Sequence, residues 1–204
     1  MNRKGILFVI SGPSGVGKGT VREGLMEKVR NIKNSVSATT RPPRIGEVDG
    51  QDYFFISKEK FEKLVEQDEF LEWAHVYSNM YGTPEKFVQQ VLDKGIDVLL
   101  EIDIQGALQV KKKRPDGVFI FLAPPNIEEL TYRLIARGKD SQGSIEQRVK
   151  ASRAEMSYID RYDYLVINDD IEDAIKNIES IIIAERSKIK NIKYEVNVND
   201  SSID

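Results

Sequence analysis

Apolar and polar residues come in blocks along the chain, and the blocks predict strands and helices in turn. The run from Ile6 to Ile10 is continuously apolar, as in a strand that a parallel sheet buries on both faces. Beyond a glycine-rich segment, apolar residues recur from Val21 to Val29 at the spacing of a helix. Further strands are predicted before Glu101 and before Pro124, and each is followed by a helical pattern. This rhythm predicts an α/β fold with a parallel sheet core and helices on both faces.

The middle of the chain has a different pattern. The segments "SVSATT", "DYFFIS" and "EFLEWAHV" are typical of short strands, and "KEKFEKLVEQ", between the last two, is typical of a helix. Because these strands do not continue the strand-and-helix rhythm, we predict a mixed lobe inserted into the core. Two helix ends are also predicted: Gly95 should follow the end of one helix, and Asn126 should cap the start of another.

These patterns divide the chain into a core, a lobe, a lid and a tail within one domain, 1–204. The lid is expected to contain two helices joined by the polar segment "RGKDSQGS". The expected ranges are about 1–34, 84–125 and 160–193 for the core, about 35–83 for the lobe, about 126–159 for the lid and 194–204 for the polar tail.

Composition narrows the classes of function. The 204 residues are 40% hydrophobic and 31% charged, which is typical of a globular domain. A formal net charge of −3 gives no general attraction to nucleic acid or to a membrane, so an anion site must be made by local groups. The chain has no cysteine and one histidine, His75, which excludes disulfides and a cysteine nucleophile and argues against structural zinc. We expect His75, beside Trp73, to be a packed structural residue.

The beginning of the chain resembles a signal peptide only superficially. Its apolar run of five residues, Ile6 to Ile10, is too short for a signal sequence, and no later segment is long enough to span a bilayer. We therefore expect a cytoplasmic protein that binds small molecules, with no nucleic-acid partner, no membrane partner and no obligatory protein partner.

The glycine-rich segment fits the pattern G-x-x-x-x-G-K of a phosphate-binding loop. It lies between a predicted strand and a predicted helix, where backbone N–H groups, the helix N-terminus and a lysine can together bind the phosphates of ATP. A glycine-rich turn that happens to contain a lysine is the alternative. The residues predicted to bind ATP are Gly12, Pro13, Ser14, Gly15, Val16, Gly17, Lys18, Gly19 and Thr20.

Gly19 departs from the usual pattern, in which a serine or threonine after the lysine offers a hydroxyl to Mg²⁺. We therefore expect Mg²⁺, the predicted cofactor, to be held mostly by phosphates and water. Glu101 or Asp103, at the end of a predicted strand, could support the ion through water. Two acids at a solvated strand end are the alternative interpretation.

A second anion site is predicted in "TTRPPRIGEVDGQDYFF", which starts at Thr39. Arg41 and Arg44 each offer a planar fork that matches phosphate oxygens, and the two prolines between them restrict the chain. Tyr53 and Tyr81 can add hydroxyl donors to the same phosphate. A solvated basic loop is the alternative interpretation.

The sequence resembles the guanylate kinases, which transfer phosphate from ATP to GMP. The resemblance covers about residues 5 to 186 and implies a P-loop nucleoside monophosphate kinase fold, a GMP-binding lobe and a role in guanine nucleotide synthesis. Alternatives are a non-catalytic interaction module of the same family, another nucleoside monophosphate kinase and a regulatory GTPase. The segments that carry the resemblance, in order, are "SGPSGVGKGT", "SVSATTRPPRIGEVDGQDYFF", "EFLEWA", "YGTP", "EIDIQGA", "FLAPP", "RLIARGKDS" and "VIND".

The resemblance implies a role for each residue that matches a family position. Arg41, Arg44, Tyr53 and Tyr81 would bind the GMP phosphate; Glu72 and Asp103 would accept from the guanine N1 and N2 donors; Ser37 and Thr83 would face its acceptor side. Glu47 matches a position in the same lobe, although an acid that pairs with Arg41 or Arg44 is nearly as good an interpretation.

The transfer itself needs little general acid or base chemistry. The GMP phosphate is largely dianionic near neutral pH, since its second pKa is about 6, so positioning and charge stabilisation must supply most of the rate. The resemblance assigns catalysis to Lys18 and to three lid arginines, Arg133, Arg137 and Arg148. Asn168 matches a position near the adenine of ATP, and a simple turn-forming asparagine is the competing interpretation.

Overall fold

A computed structural model describes residues 3–76, 78–136 and 142–192, and its elements alternate between strands and helices. In chain order the strands and helices are β1 (Leu7–Ser11), α1 (Lys18–Lys28), β2 (Ile32–Asn34), β3 (Ala38–Thr39), β4 (Phe54–Phe55), α2 (Lys58–Glu66), β5 (Phe70–Val76), β6 (Asn79–Pro84), α3 (Glu85–Asp93), β7 (Asp97–Glu101), α4 (Ile104–Lys113), β8 (Val118–Ala123), α5 (Ile127–Ala136), α6 (Gln142–Met156), β9 (Tyr164–Ile167) and α7 (Ile171–Ser187).

The core is a five-stranded sheet with the order β2-β7-β1-β8-β9, and each of its strand pairs is parallel. Alternate residues of β1 face opposite sides: Phe8 packs with α1, α5 and α7, whereas Val9 packs with α3 and α4. Both faces of the sheet are therefore covered by helices, and the predicted α/β fold class is confirmed. In such a sheet, ligands bind beyond the carboxyl ends of the strands, where β1 leads into the glycine-rich loop.

The lobe is a four-stranded mixed sheet with the order β4-β3-β6-β5. It has a small core of its own, in which the rings of Phe61 and Phe70 stack with centroids 4.4 Å apart. Strands β2 and β6 were missing from the prediction. The sequence of β6, "NMYGTP", contains turn-forming residues, yet pairing with β5 on one side and β3 on the other makes it a strand.

Two predicted helix ends are confirmed, and one prediction is wrong. Gly95 has a φ of 75° beyond the end of α3, and the Asn126 side chain accepts a 2.7 Å hydrogen bond from the N–H of Glu129. His75 was expected to be packed, but it is exposed and contacts the Trp73 ring edge-on. The reason is that burial falls along β5, whose last two residues extend beyond the lobe core.

Within the ranges that the structure describes, no helix is both long and apolar enough to cross a membrane. The lid is represented there by α5 and α6, which pack against each other. The predicted site residue Arg137 and the predicted tail at 194–204 lie outside the described residues.

Candidate functional site

The glycine-rich loop joins the buried end of β1 to the first residue of α1. Gly12, Gly15 and Gly17 have φ values of 151°, 91° and 98°, which residues with a side chain rarely adopt. The Nζ of Lys18 donates to the carbonyl oxygens of Gly12 at 2.6 Å and of Pro13 at 3.0 Å. The loop thus curls around the lysine amine at the positive end of α1, a geometry that suits an anion.

Asn168 directly follows β9, and its side chain holds the glycine-rich loop in place. Its side chain is buried and donates from Nδ2 to the carbonyl oxygen of Val16 at 2.7 Å. A Cβ on Gly17 would lie 2.6 Å from that same nitrogen, so glycine is required there for space as well as for its φ. The structure therefore places Asn168 against the predicted ATP-binding loop.

Glu101 is the last residue of β7, and Asp103 follows the strand at the same edge of the sheet. The Nε of Arg22 donates to Oε2 of Glu101 at 2.8 Å, and the other oxygen lies 3.7 Å from the place where a Cβ on Gly19 would be. Asp103 caps α4 by accepting from the N–H of Gly106 at 2.8 Å. Glu101 thus lies beside the first turn of α1, and Asp103 lies at the start of α4. No three acidic or histidine side chains of the described residues form a metal-binding group.

The second predicted anion site brings four side chains together in the lobe. Arg41 makes a bidentate ion pair with Glu47, at 2.9 Å from Nη1 and 2.8 Å from Nη2. Its guanidinium lies 5.5 Å from the ring centre of Tyr53, whose ring is 5.9 Å from that of Tyr81. Arg44 is exposed and contributes its backbone N–H to Glu47 at 2.6 Å.

Strong pairing sets the charges of this cluster. The Arg41 guanidinium and the Arg44 N–H lower the pKa of Glu47 to about 2, and Glu47 in turn raises the pKa of Arg41. The alternative interpretation of Glu47, an acid that pairs with Arg41, thus describes its contacts in the structure. A phosphate offers Arg41 the same two-oxygen geometry that Glu47 offers now.

Glu72, on β5, is the buried carboxylate of the lobe. Its exposed fraction is 8%, and its Oε1 accepts from the Thr83 hydroxyl at 2.6 Å. Burial raises the pKa of Glu72, and the negative charge of Asp103 raises it further, whereas the hydrogen bond from Thr83 lowers it. The carboxylates of Glu72 and Asp103 both lie next to Gly106 at the start of α4. Together they can accept hydrogen bonds from two neighbouring N–H donors of a ligand.

A polar cavity of about 320 Å³ is lined by some of these groups. It lies between the carboxyl end of β7 and the lobe, so one side belongs to the core and the other to the inserted sheet. Among the residues that line it are Ser37, Glu47, Tyr53, Thr83, Arg22 and Glu101.

The lid arginines occupy different places. Arg133 is held outside the cavity, because Glu129 accepts from its Nε at 2.8 Å and the carbonyl oxygen of Asn168 accepts from its Nη1 at 2.9 Å. Arg148 is half-buried on α6, and its carbonyl oxygen accepts from the hydroxyl of Ser152. Arg133 thus lies beside Asn168, which contacts the loop, and neither Arg133 nor Arg148 is among the residues that line the cavity.

Two residues near the site were missed by the sequence analysis. Arg22 follows Lys18 by one helical turn, and this spacing on one helix face was the available signal. Glu155 lies at the end of α6, and burial raises its pKa, while Lys18 and the N–H of Ser14 lower it. No sequence pattern marks Glu155, because its place beside the loop depends on how α6 packs.

The comparisons with known proteins agree with this geometry. The family model described as "Guanylate kinase" matches residues 4–185. Guanylate kinase of Syntrophomonas wolfei is 64% identical over 192 residues, covering 94% of this chain and 98% of that protein. Guanylate kinase of Caldanaerobacter subterraneus is 53% identical, covering 95% and 94%. The crystal structure of guanylate kinase from Anaplasma phagocytophilum is 38% identical with a TM-score of 0.72, covering 93% of this chain and 90% of that one.

Proposed function

The chain belongs to the guanylate kinase family, which transfers the γ-phosphate of ATP to GMP, and we propose that it does so across the cleft between the glycine-rich loop and the inserted lobe. One observation carries this assignment of the site. The loop around Lys18 and the cluster around Arg41 each offer positive groups to an anion, and a polar cavity lined by Arg22 of α1 and by Glu47 of the cluster lies near the buried Glu72.

On the donor side, the loop binds the phosphates of ATP through backbone N–H groups, the N-terminus of α1 and the Lys18 amine. Lys18 exchanges its present bonds to the carbonyl oxygens of Gly12 and Pro13 for phosphate oxygens. Asn168 keeps the loop in place through Val16, and the adenine of ATP lies on that side of the loop.

On the acceptor side, Arg41, Arg44, Tyr53 and Tyr81 bind the phosphate of GMP. Arg41 exchanges the carboxylate of Glu47 for the phosphate, since both offer two oxygens to the guanidinium fork.

The guanine base is recognised by polar groups where the lobe meets the start of α4, and two of them, Glu72 and Thr83, are buried. Glu72 and Asp103 accept from the N1 and N2 donors of guanine, and Ser37 and Thr83 face its acceptor edge. Adenine has no donor at N1 and an amino group in place of O6, so it would leave buried groups of the site unpaired. The high burial of Glu72 makes that mismatch costly.

Transfer depends on position and charge rather than on a general base. Lys18 holds the transferred phosphoryl group, and Arg133, Arg137 and Arg148 add positive charge from the lid. Kinases of this class generally use Mg²⁺ with ATP. Because Gly19 offers no hydroxyl, the ion would be held mostly by phosphates and water, and Glu101 or Asp103 would support it through water. When bound, the ion would supply charge neutralisation for the phosphates.

The test is ADP release with ATP and Mg²⁺ and one acceptor at a time: GMP, dGMP, AMP or UMP. The expected result is strong turnover with GMP and dGMP, and only a small fraction of that rate with AMP or UMP. Comparable turnover with AMP would contradict the roles of Glu72 and Asp103. A folded protein that binds GMP and releases no ADP would contradict the catalytic assignment itself.

A further inference from the structure

We propose that Arg22 is a further contact for the phosphate of GMP, reaching it from the α1 side of the cavity, opposite Arg41. This inference rests on the function proposed above and adds a residue to its acceptor site. It starts from the position of Arg22, which α1 contributes to the lining of the same cavity that Ser37, Tyr53 and Thr83 line from the lobe.

The helix places Arg22 between the two phosphate sites. Lys18 and Arg22 are one turn apart on the same face of α1, and Lys18 points into the loop. The side chain of Arg22 is 27% exposed, so it is accessible to a ligand while its stem is packed. The guanidinium of Arg22 therefore lies on the side of Lys18 that faces the proposed GMP site.

Two arginine–carboxylate pairs contribute to the cavity wall. On the lobe side Glu47 lines the cavity and holds Arg41 through both terminal nitrogens of the guanidinium. On the core side Arg22 and Glu101 both line it; Arg22 donates to Glu101 from Nε alone, at 2.8 Å, and from Nη2 to Glu23 at 3.2 Å. A phosphate dianion is a stronger bidentate acceptor than either carboxylate, so it can take Arg41 from Glu47, and it can take Arg22 from two single bonds.

Charge balance on the core side also favours this role. Without Arg22, that side of the cavity would present the carboxylate of Glu101 alone to an incoming dianion, and like charges at close range repel. Arg22 can therefore act directly, by donating to the phosphate, or indirectly, by masking Glu101. The two possibilities differ in what a double substitution does, because the indirect effect disappears when Glu101 is also made neutral.

The experiment is calorimetric titration of GMP, without ATP and without Mg²⁺, into the wild type and three variants: Arg22→Met, Glu101→Gln and the double variant. Omitting Mg²⁺ keeps any role of Glu101 toward the ion out of the readout. Guanosine, which has no phosphate, is titrated in parallel. Lys28→Met is the matched control, because it removes one positive charge from an exposed position of the same helix, where Lys28 pairs with Glu172.

The Arg22→Met variant lacks a charged bidentate donor, so it should bind GMP about tenfold more weakly than the wild type. Its affinity for guanosine should differ from the wild-type value by less than about twofold. Glu101→Gln should bind GMP at least as tightly as the wild type, and the double variant should stay about tenfold weaker than Glu101→Gln. Lys28→Met should match the wild type. In steady-state assays the KM for GMP, and not the KM for ATP, should rise in Arg22→Met.

Three outcomes would overturn the proposal. A double variant that binds GMP as tightly as Glu101→Gln would mean that Arg22 only masks the carboxylate. An equal loss for guanosine and GMP would mean that Arg22 shapes the cleft without contacting phosphate. Wild-type GMP affinity in Arg22→Met would remove the contact altogether. A wild type that binds no GMP would instead refute the proposed acceptor site, so the two failures are distinguishable.

Discussion

The two proposed phosphate sites of this molecule are built in different ways. The donor site is a stretch of consecutive residues in which glycines shape the backbone and one lysine contributes its side chain. The acceptor site is assembled from side chains of β5, β6, the start of α4 and the segment between β3 and β4. The loop is attached to the buried core sheet, whereas the lobe has a small core of its own.

This difference explains what each site depends on. A backbone site needs the right φ angles and space, so it tolerates changes in the side chains around it and fails when a glycine or the lysine is lost. A side-chain site depends on pairs such as Arg41 with Glu47 and Thr83 with Glu72, which can be removed one at a time. Substitutions should therefore separate donor effects from acceptor effects.

The largest effect should come from Lys18→Ala. The amine bonds to the transferred phosphoryl group in the transition state, so kcat should fall by about 10²–10³-fold, and the KM for GMP should change little. Circular dichroism should show an unchanged fold. Lys28→Ala, on the same helix but exposed, should retain wild-type turnover. Turnover near the wild-type value in Lys18→Ala would contradict the donor assignment.

Arg41→Ala should weaken binding at the proposed GMP site and leave ATP binding nearly unchanged. Removing a bidentate, charge-assisted contact costs about 1.5–3 kcal/mol, so the KM for GMP should rise roughly 10–100-fold, and the KM for ATP should stay within about twofold. Lys58→Ala, which removes an exposed charge from the same lobe, is the control. Equal increases in both KM values would show that Arg41 supports the whole cleft and not the acceptor alone.

Glu72→Gln should sharpen the contrast by reducing discrimination between bases. The amide can still accept from Thr83 but loses the charge that pairs with guanine donors, so the kcat/KM ratio of GMP to AMP should fall about tenfold. Glu66→Gln, at an exposed position of α2, should leave that ratio unchanged. An unchanged ratio in Glu72→Gln would remove Glu72 from base recognition.

Glu72→Gln should also change the stability of the folded protein, and the size of this change should depend on pH. Burial raises the pKa of Glu72 above its usual value of 4.5, so its ionised form destabilises the folded state, and stability falls as the pH rises through the raised pKa. At pH 7, Glu72→Gln should be more stable than the wild type by about 1 kcal/mol, or roughly 2–4 °C in Tm. Below about pH 4.5 this gain should vanish; a gain that persists in acid would contradict the burial argument.

Glu155→Gln should give the smallest effect, on the donor side. Its carboxylate lies close enough to Lys18 and to the Ser14 N–H for both to lower its pKa, so it opposes an incoming triphosphate. Neutralising it should lower the KM for ATP about two- to fivefold, the size of a partly exposed charge interaction. The KM for GMP should not change, and a change there would place Glu155 in the acceptor site instead.

The difference between a site made of consecutive residues and a site assembled by the tertiary fold also determined how much could be predicted from the sequence. The loop, the core strands and the cap at Asn126 follow from spacing and local chemistry, because each depends on residues that are close together in the chain. The phosphate side of the acceptor site, Arg41 and Arg44, was visible in a local pattern, whereas the base-recognition residues could be assigned only from the family resemblance, since β5, β6 and α4 meet through the tertiary fold. β6 was missed because pairing on both sides overrides its turn-forming sequence.

Burial was the hardest property to predict. His75 lies in an apolar-looking strand but beyond the lobe core, and Glu155 lies in a polar helix but against the loop. In both cases the exposure depends on what packs against the residue from elsewhere in the chain. The role of Arg22 was partly predictable from the sequence. Its helical spacing from Lys18 was visible there, whereas its pairing with Glu101 was not.

The separation of the two sites is tested most directly by titrating GMP, in the absence of ATP, into Lys18→Ala and Arg41→Ala. A backbone-built donor site and a side-chain-built acceptor site predict that Lys18→Ala binds GMP within about twofold of the wild type, whereas Arg41→Ala binds it at least about tenfold more weakly. Equal weakening in both variants would contradict two separate sites and would indicate a single continuous phosphate pocket.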